Sequence, residues 1–202
     1  MGHATRRVGI MGGTFDPIHI GHLIAAEAAI ECVGLDEVWF MPAHVPPHKS
    51  RQPEASAKQR LEMTALAVSG EPRFSASSWE MDRGGVSYTL HTVKALQEEY
   101  PNTEWYWIIG ADMVAFLPQW HGIEELIERI HFIGVRRPGT PWPLEALPVE
   151  WRGRILEADM PKLDISSTNI RKRVKDRRSI RYFVSDSVLH YIQRWELYEQ
   201  KP

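Results

Sequence analysis

Residues 6–29, RRVGIMGGTFDPIHIGHLIAAEAA, constrain the fold more than any other stretch of the chain. They read as one strand, one Gly-rich turn and one helix. Val8, Ile10 and Met11 make a short apolar run of the kind a buried parallel strand carries. Gly12 and Gly13 break the run and allow both a sharp turn and a close backbone approach to a ligand. Thr14, Asp16 and Pro17 are turn and helix-entry residues. From Ile20 onward, Leu23, Ile24, Ala26, Ala28 and Ile30 supply an apolar helical face with Ala filling. His19 and His22 fall at the helix start, on one face of its first turn. A helix start behind a parallel strand offers unpaired N–H groups and the positive end of the dipole, which favours phosphate. The imidazoles add donors and, when protonated, charge. A Gly-Gly turn alone is often only a turn. Two glycines, two histidines, Thr14 and Asp16 together point to stabilisation of a phosphoryl group as charge builds on it.

The rest of the chain extends an α/β pattern. Its 202 residues suit one domain spanning 1–202, and 43% apolar content suits a packed core. A net charge of −2 argues against a dedicated polyanion binder, so no nucleic-acid partner is expected. The single cysteine, Cys32, excludes an internal disulfide and fits a reducing cytoplasm. Its place among apolar residues suggests a buried structural thiol. No window is apolar enough to span a membrane or to act as a signal peptide. Strands are expected at 37–41, 73–76, 104–110, 131–135 and 154–158. Helices are expected at 54–69, 88–99, 123–128, from about Ser167, and at 185–198 with Val188, Leu189, Ile192 and Trp195 inward. Lys58 and Arg60 read as a solvated helix face, and residues 79–85 as a polar loop. The fold class is therefore a doubly wound, Rossmann-like parallel sheet, with ligand bound at the strands' carboxyl ends.

Several residues at those carboxyl ends carry candidate chemistry. PAHVPPHKS, 42–50, is a loop with polar reach from His44, His48 and Lys49. Ser87 suits a helix cap. Gly110-Ala111-Asp112 places a carboxylate just past the most apolar strand, where it can meet a ribose hydroxyl, a metal or the next helix's N-terminus. Trp120 suits either the core or a stacking platform for a planar ring. Arg136 and Arg137 end another strand and suit phosphate. Ile165-Ser166-Ser167-Thr168 opens a helix with N–H groups and hydroxyls, Arg171 lies one turn in, and the basic run 171–178 reads as a patch near phosphates.

GGTFDPIHIGH resembles the signature of the nucleotidylyltransferases, whose hallmark is H-x-G-H, here His19 to His22. With GGTFDP in front it is similar to bacterial nicotinate-nucleotide adenylyltransferases. I-S-S-T-x-I-R, Ile165 to Arg171, resembles their second signature, some 150 residues later. The likeness covers nearly the whole chain. It implies transfer of AMP from ATP to nicotinate mononucleotide, giving nicotinate adenine dinucleotide and pyrophosphate. It also implies Mg²⁺ carried on the ATP phosphates without a dedicated protein site, a cytoplasmic location and, since relatives often dimerise, room for a homodimer. His19 and His22 would be catalytic. Gly12, Gly13, Thr14, Phe15, Gly110, Asp112, Arg137, Ile165, Ser166, Ser167, Thr168 and Arg171 would join them on ATP. Lys49, Thr89, Trp120 and His121 would meet the second substrate, backbone amides near Thr89 taking the pyridine carboxylate and Trp120 the ring. Nicotinamide mononucleotide as acceptor differs by one amide. Phosphopantetheine adenylyltransferases share the motif but usually carry T-x-G-H, and a synthetase-like fragment would need a K-M-S-K-S that is missing. A non-catalytic nucleotide sensor is disfavoured by the intact histidine pair.

Overall fold

The computed structural model describes residues 5–45 and 52–200. Its strands are β1 (Arg6–Gly13), β2 (Glu37–Pro42), β3 (Phe74–Ala76), β4 (Thr103–Gly110), β5 (His131–Arg136) and β6 (Ile155–Asp159). The helices are α1 (Ile20–Val33), α2 (Ala57–Val68), α3 (Trp79–Arg83), α4 (Thr89–Glu99), α5 (Ala111–Val114), α6 (Ile123–Arg129), α7 (Ser167–Lys175) and α8 (Asp186–Arg194), with short 3-10 turns between β4 and β6.

The strands form one six-stranded sheet in the order β3-β2-β1-β4-β5-β6. Every neighbouring pair is parallel. Side chains alternate along each strand, so two apolar layers result. Val8, Ile10, Trp105, Trp107 and Phe132 join Val93, Leu96 and Leu126 of α4 and α6 in one layer. Met11, Phe40, Tyr106, Ile108 and Ile133 join Ala26, Met63, Ile170 and Val188 of α1, α2, α7 and α8 in the other. This is the doubly wound arrangement, and its strand order reverses between β1 and β4. A crevice opens at such a reversal, outside the carboxyl ends of the strands.

Register brings those ends level. Gly13 sits opposite Pro42, Gly110 opposite Val135, and Arg136 opposite Asp159. The turn after β1, the segment after β2, the Gly110–Asp112 step and Arg137 therefore share one edge of the sheet.

Four expectations fail for local reasons. Residues 79–83 form α3 rather than loop, and Gly84 ends it at φ 70°, a conformation that favours glycine. Cys32 is exposed, because α1 buries Gly21, Ala26, Ala29 and Ile30 and position 32 lies off that stripe; its thiol donates to Glu157 O at 3.2 Å. Helix α8 stops at Arg194, so Trp195 is not carried onto the buried face and stays 55% exposed. Arg60, on the supposedly solvated face of α2, is only 2% exposed.

Candidate active site

The turn after β1 is built by close packing. A Cβ on Gly12 would lie 2.9 Å from the Trp107 ring, and one on Gly13 2.9 Å from the Phe15 ring. The glycines make room for two aromatic rings. The left-handed residue of the turn is Phe15, at φ 49°, which is buried at 2% exposure. Asp16 follows, joined to Pro17 by a cis peptide.

Arg60 and Asp16 fix this turn from below. Arg60 Nη1 donates to Thr14 O at 2.8 Å and to Ala43 O at 2.9 Å, and Nη2 donates to His44 O at 3.4 Å. The Asp16 carboxylate accepts from Glu54 N (2.9 Å), Ala55 N (3.0 Å) and the Tyr198 hydroxyl (2.8 Å). Burial pushes the Tyr198 hydroxyl far above the usual phenol range, and Asp16 adds to the shift, so it remains a donor. The residues that flank segment 46–51 on both sides are thus tied to the phosphate turn. Lys49 itself lies outside the described residues.

His19 is the N-cap of α1 and His22 its third residue. Their rings stack with centroids 3.7 Å apart, and Phe15 meets His22 edge-on at 5.1 Å. His22 Nδ1 accepts from His19 N at 3.1 Å, an N-capping bond with imidazole as acceptor. That bond requires Nδ1 to be unprotonated, which leaves Nε2 as the donor of His22. His19 is 6% exposed, and among the described residues its Nδ1 has no hydrogen-bond partner. Burial, reinforced by the positive charge of Arg137, lowers its pKa from 6.5 to about 4. His19 is therefore neutral at pH 7 and offers a donor rather than a charge. Gly21 allows this packing, because a Cβ there would lie 3.1 Å from His19 Nδ1.

The start of α1 is also less open than the sequence suggests. Ile20 N donates to Phe183 O at 3.0 Å, and His22 N to His19 O at 2.9 Å. The start of α7 complements it. Ser166 caps that helix by accepting from Asn169 N, and Ser167 Oγ donates to Pro17 O at 2.8 Å. Arg171 Nη1 donates to Asp16 O at 2.6 Å. The two signatures thus form one hydrogen-bonded unit.

A cleft of about 890 Å³ opens between these parts at the β1/β4 reversal. Gly12, Gly13, Thr14, His19 and His22 line one wall, and Gly110, Asp112 and Arg137 another. Ile165, Ser166 and Ser167 close it on the α7 side, while Thr89 and Trp120 line its far end. Phe15, His121, Thr168 and Arg171 are not in the lining. Phe15 is core. His121 packs its ring on Tyr88 at 4.6 Å, and Arg171 is engaged by Asp16 and by Glu54 at 3.2 Å. Trp120 packs edge-on against Phe132 at 5.9 Å and also lines the cleft. Among the described residues no group of three or more His, Cys, Asp and Glu is placed to hold a metal ion, and no helix is long and apolar enough to cross a membrane.

Sequence reasoning missed Arg60 and Glu80. Glu80, 5% exposed, lines the cleft, and burial raises its carboxyl pKa. Arg60 on a helix of mixed polarity carries no signal of burial. Glu80 lies in a stretch with Ser78, Asp82 and Arg83 around it, which likewise gives no signal of burial.

A cleft of this size, walled by Gly-rich turn, imidazoles and an arginine at a topological switch point, defines a nucleotide-binding α/β enzyme. A family model described as Cytidylyltransferase-like matches residues 10–173. The nicotinate-nucleotide adenylyltransferase of Bacillus subtilis is 43% identical over 198 residues, covering 96% of this chain and 99% of that relative. A probable nicotinate-nucleotide adenylyltransferase of Geobacillus kaustophilus is 44% identical over 196 residues, covering 95% of this chain and 86% of that one. Among solved structures, the Plasmodium falciparum nicotinic acid mononucleotide adenylyltransferase complexed with NaAD superposes with a TM-score of 0.75 at 20% identity, over 96% of this chain and 97% of that one. That protein has also been seen complexed with APC. At that identity the likeness is one of fold. The chain belongs to the cytidylyltransferase-like family and, within it, to the nicotinate-nucleotide adenylyltransferases.

Proposed function

We propose that this enzyme transfers the adenylyl group of ATP to the phosphate of nicotinate mononucleotide, forming nicotinate adenine dinucleotide and pyrophosphate. The observation that carries the reading is the cleft in which the H-x-G-H turn, Arg137 and the start of α7 converge. An acceptor oxygen attacks the α-phosphorus directly, and the bond to the pyrophosphate oxygen breaks. The acceptor phosphate is largely dianionic at pH 7, since its second pKa is about 6. It needs no general base, so alignment and charge stabilisation dominate. His19, neutral by burial, serves as a hydrogen-bond donor to the phosphates, beside the Nε2–H of His22. Arg137 supplies fixed positive charge. Gly12, Gly13 and Thr14 bring backbone close to the nucleotide, and Asp112 is suited to its ribose.

Mg²⁺ arrives with ATP in this reading. Hard oxygen donors suit it, and Asp112 is a carboxylate of that type in the cleft wall. Its contribution is charge on the triphosphate. The nicotinate carboxylate falls to the start of α4 near Thr89, and the ring to Trp120. His121 is a proposed contact of the pyridine substrate, Lys49 is proposed to reach the substrate phosphates, and Thr168 and Arg171 support the phosphates from α7. The same reading takes residues 1–202 as one domain, in the cytoplasm, with no nucleic-acid or membrane partner, and allows a homodimer.

Pyrophosphate release with Mg-ATP tests it, with nicotinate and nicotinamide mononucleotides compared at equal concentration. Strong preference for the acid is expected. Equal use would discard the carboxylate subsite, and no release with either would overturn the reaction. His19→Ala should fold and lose kcat far more than it raises KM; a normal kcat would remove His19 from its role.

A further inference from the structure

We propose that Glu80 is a positioning residue for the acid end of the pyridine substrate: it holds the first turn of α4 in place through the Thr92 hydroxyl. This rests on the reading just given.

Helix α4 starts without help from its own cap. Tyr88 occupies the N-cap and gives no side-chain hydrogen bond. His91 N and Thr92 N both donate to Tyr88 O, at 3.0 and 3.2 Å. Among the described residues, that leaves the Thr89 and Leu90 N–H groups for the cleft, where Thr89 is part of the wall. Such a turn frays unless something else fixes it.

Glu80 supplies the missing restraint from α3. Thr92 Oγ1 donates to Glu80 Oε1 at 2.8 Å, and both side chains are buried, at 2% and 5% exposure. The Ser87 hydroxyl nearby also favours the charged form of Glu80. Ser87 Oγ in turn accepts from His44 N at 3.1 Å. One buried carboxyl therefore holds the first turn of α4, beside Ser87 and the backbone leaving β2. A burial this complete is costly for a carboxyl, and the Thr92 hydroxyl offsets part of it.

The consequence is selective. Loosening this turn misplaces donors that only the pyridine substrate meets, while the ATP end of the cleft, at His19 and Arg137, keeps its own supports. Thr92→Val removes one hydroxyl at constant shape. It should raise KM for nicotinate mononucleotide about tenfold and lower the acid-over-amide ratio of kcat/KM similarly, with KM for Mg-ATP within about twofold. Thr92→Ser should restore both values. Glu80→Ala should show the larger effect in the same direction; should it not fold, the Thr92 pair decides. Equal rises in both KM values, or no change in the Thr92→Val ratio, would overturn the inference. Wild-type enzyme that failed to use the acid would instead overturn the reaction itself.

Discussion

Gly21→Ala separates the two roles that a glycine in H-x-G-H can have. Gly21 is the second residue of a helix, where Ala is favoured over Gly by up to about 1 kcal/mol. Against that gain, the new Cβ would lie 3.1 and 3.2 Å from His19 Nδ1 and Cε1. Few real Cβ contacts are that tight, so the ring must give by a few tenths of an ångström. The His19 ring is buried and stacked on His22, so the displacement reaches both imidazoles. Misplacing a catalytic group by about 1 Å costs about 100-fold, and a few tenths should therefore cost on the order of tenfold in kcat. Stability should stay within about 1 kcal/mol of wild type, or rise. Urea denaturation and kcat for pyrophosphate release measure the two effects. The decisive comparison is made in the His19→Ala background, where the added methyl has no ring to push. There Gly21→Ala should leave the residual kcat unchanged. An unaltered kcat in the single variant, or an equal loss in both backgrounds, would refute the steric explanation.

Three other outcomes follow from the supports of the site. Arg60→Ala leaves the carbonyls of Thr14, Ala43 and His44 without their donor and Asp16 without a nearby buried cation; it should cost about 3 kcal/mol or more in urea unfolding, and a loss under about 1 kcal/mol would contradict that. Tyr198→Phe removes one buried hydrogen bond to a carboxylate and should cost about 2 kcal/mol, so an unchanged Tm would show that the C-terminal anchor carries no weight. His19, with a pKa of about 4 folded against 6.5 unfolded, binds its proton more readily when unfolded. Its contribution is full above pH 6.5 and is lost as pH falls toward 4, by about 3 kcal/mol in total. His19→Gln should flatten stability over that window relative to wild type, and parallel curves would deny the shift.

The fold and one wall of the site were legible because they rest on local patterns. Apolar runs ending in glycine or proline gave the strands, and the sheet order follows from a strand–helix alternation that permits few arrangements. The glycines have a second use that the letters do not show: their absent side chains accommodate Trp107 and Phe15, rings that are remote in sequence or follow the turn. Arg60 and Glu80 escaped because burial of a charge depends on partners that only the folded chain assembles. The partners of Arg60 are backbone carbonyls, which leave no trace in the residue letters. Tyr198 was similarly hidden, since its burial requires α8 to end at Arg194 and the chain to turn inward at φ 67°.

The hydroxyls of the second signature also change meaning once the structure is known. By sequence, Ser166 and Ser167 are donors for phosphate. In the fold, Ser166 Oγ accepts from Asn169 N, and Ser167 Oγ spends its proton on Pro17 O. Ile170 N is used by Ser166 O. Among the described residues, Ser166 Oγ still keeps its proton while accepting from Asn169 N, and the Ser167 and Thr168 N–H groups lie at the same helix start, reinforced by the helix dipole. Ser166 thus caps α7 and Ser167 docks the helix start onto the turn that holds His19. Arg171 completes the same junction by donating to Asp16 O. A reaction that needs no proton taken from its nucleophile gains most from such rigidity, because every donor that meets the phosphates is already aligned before the bond forms.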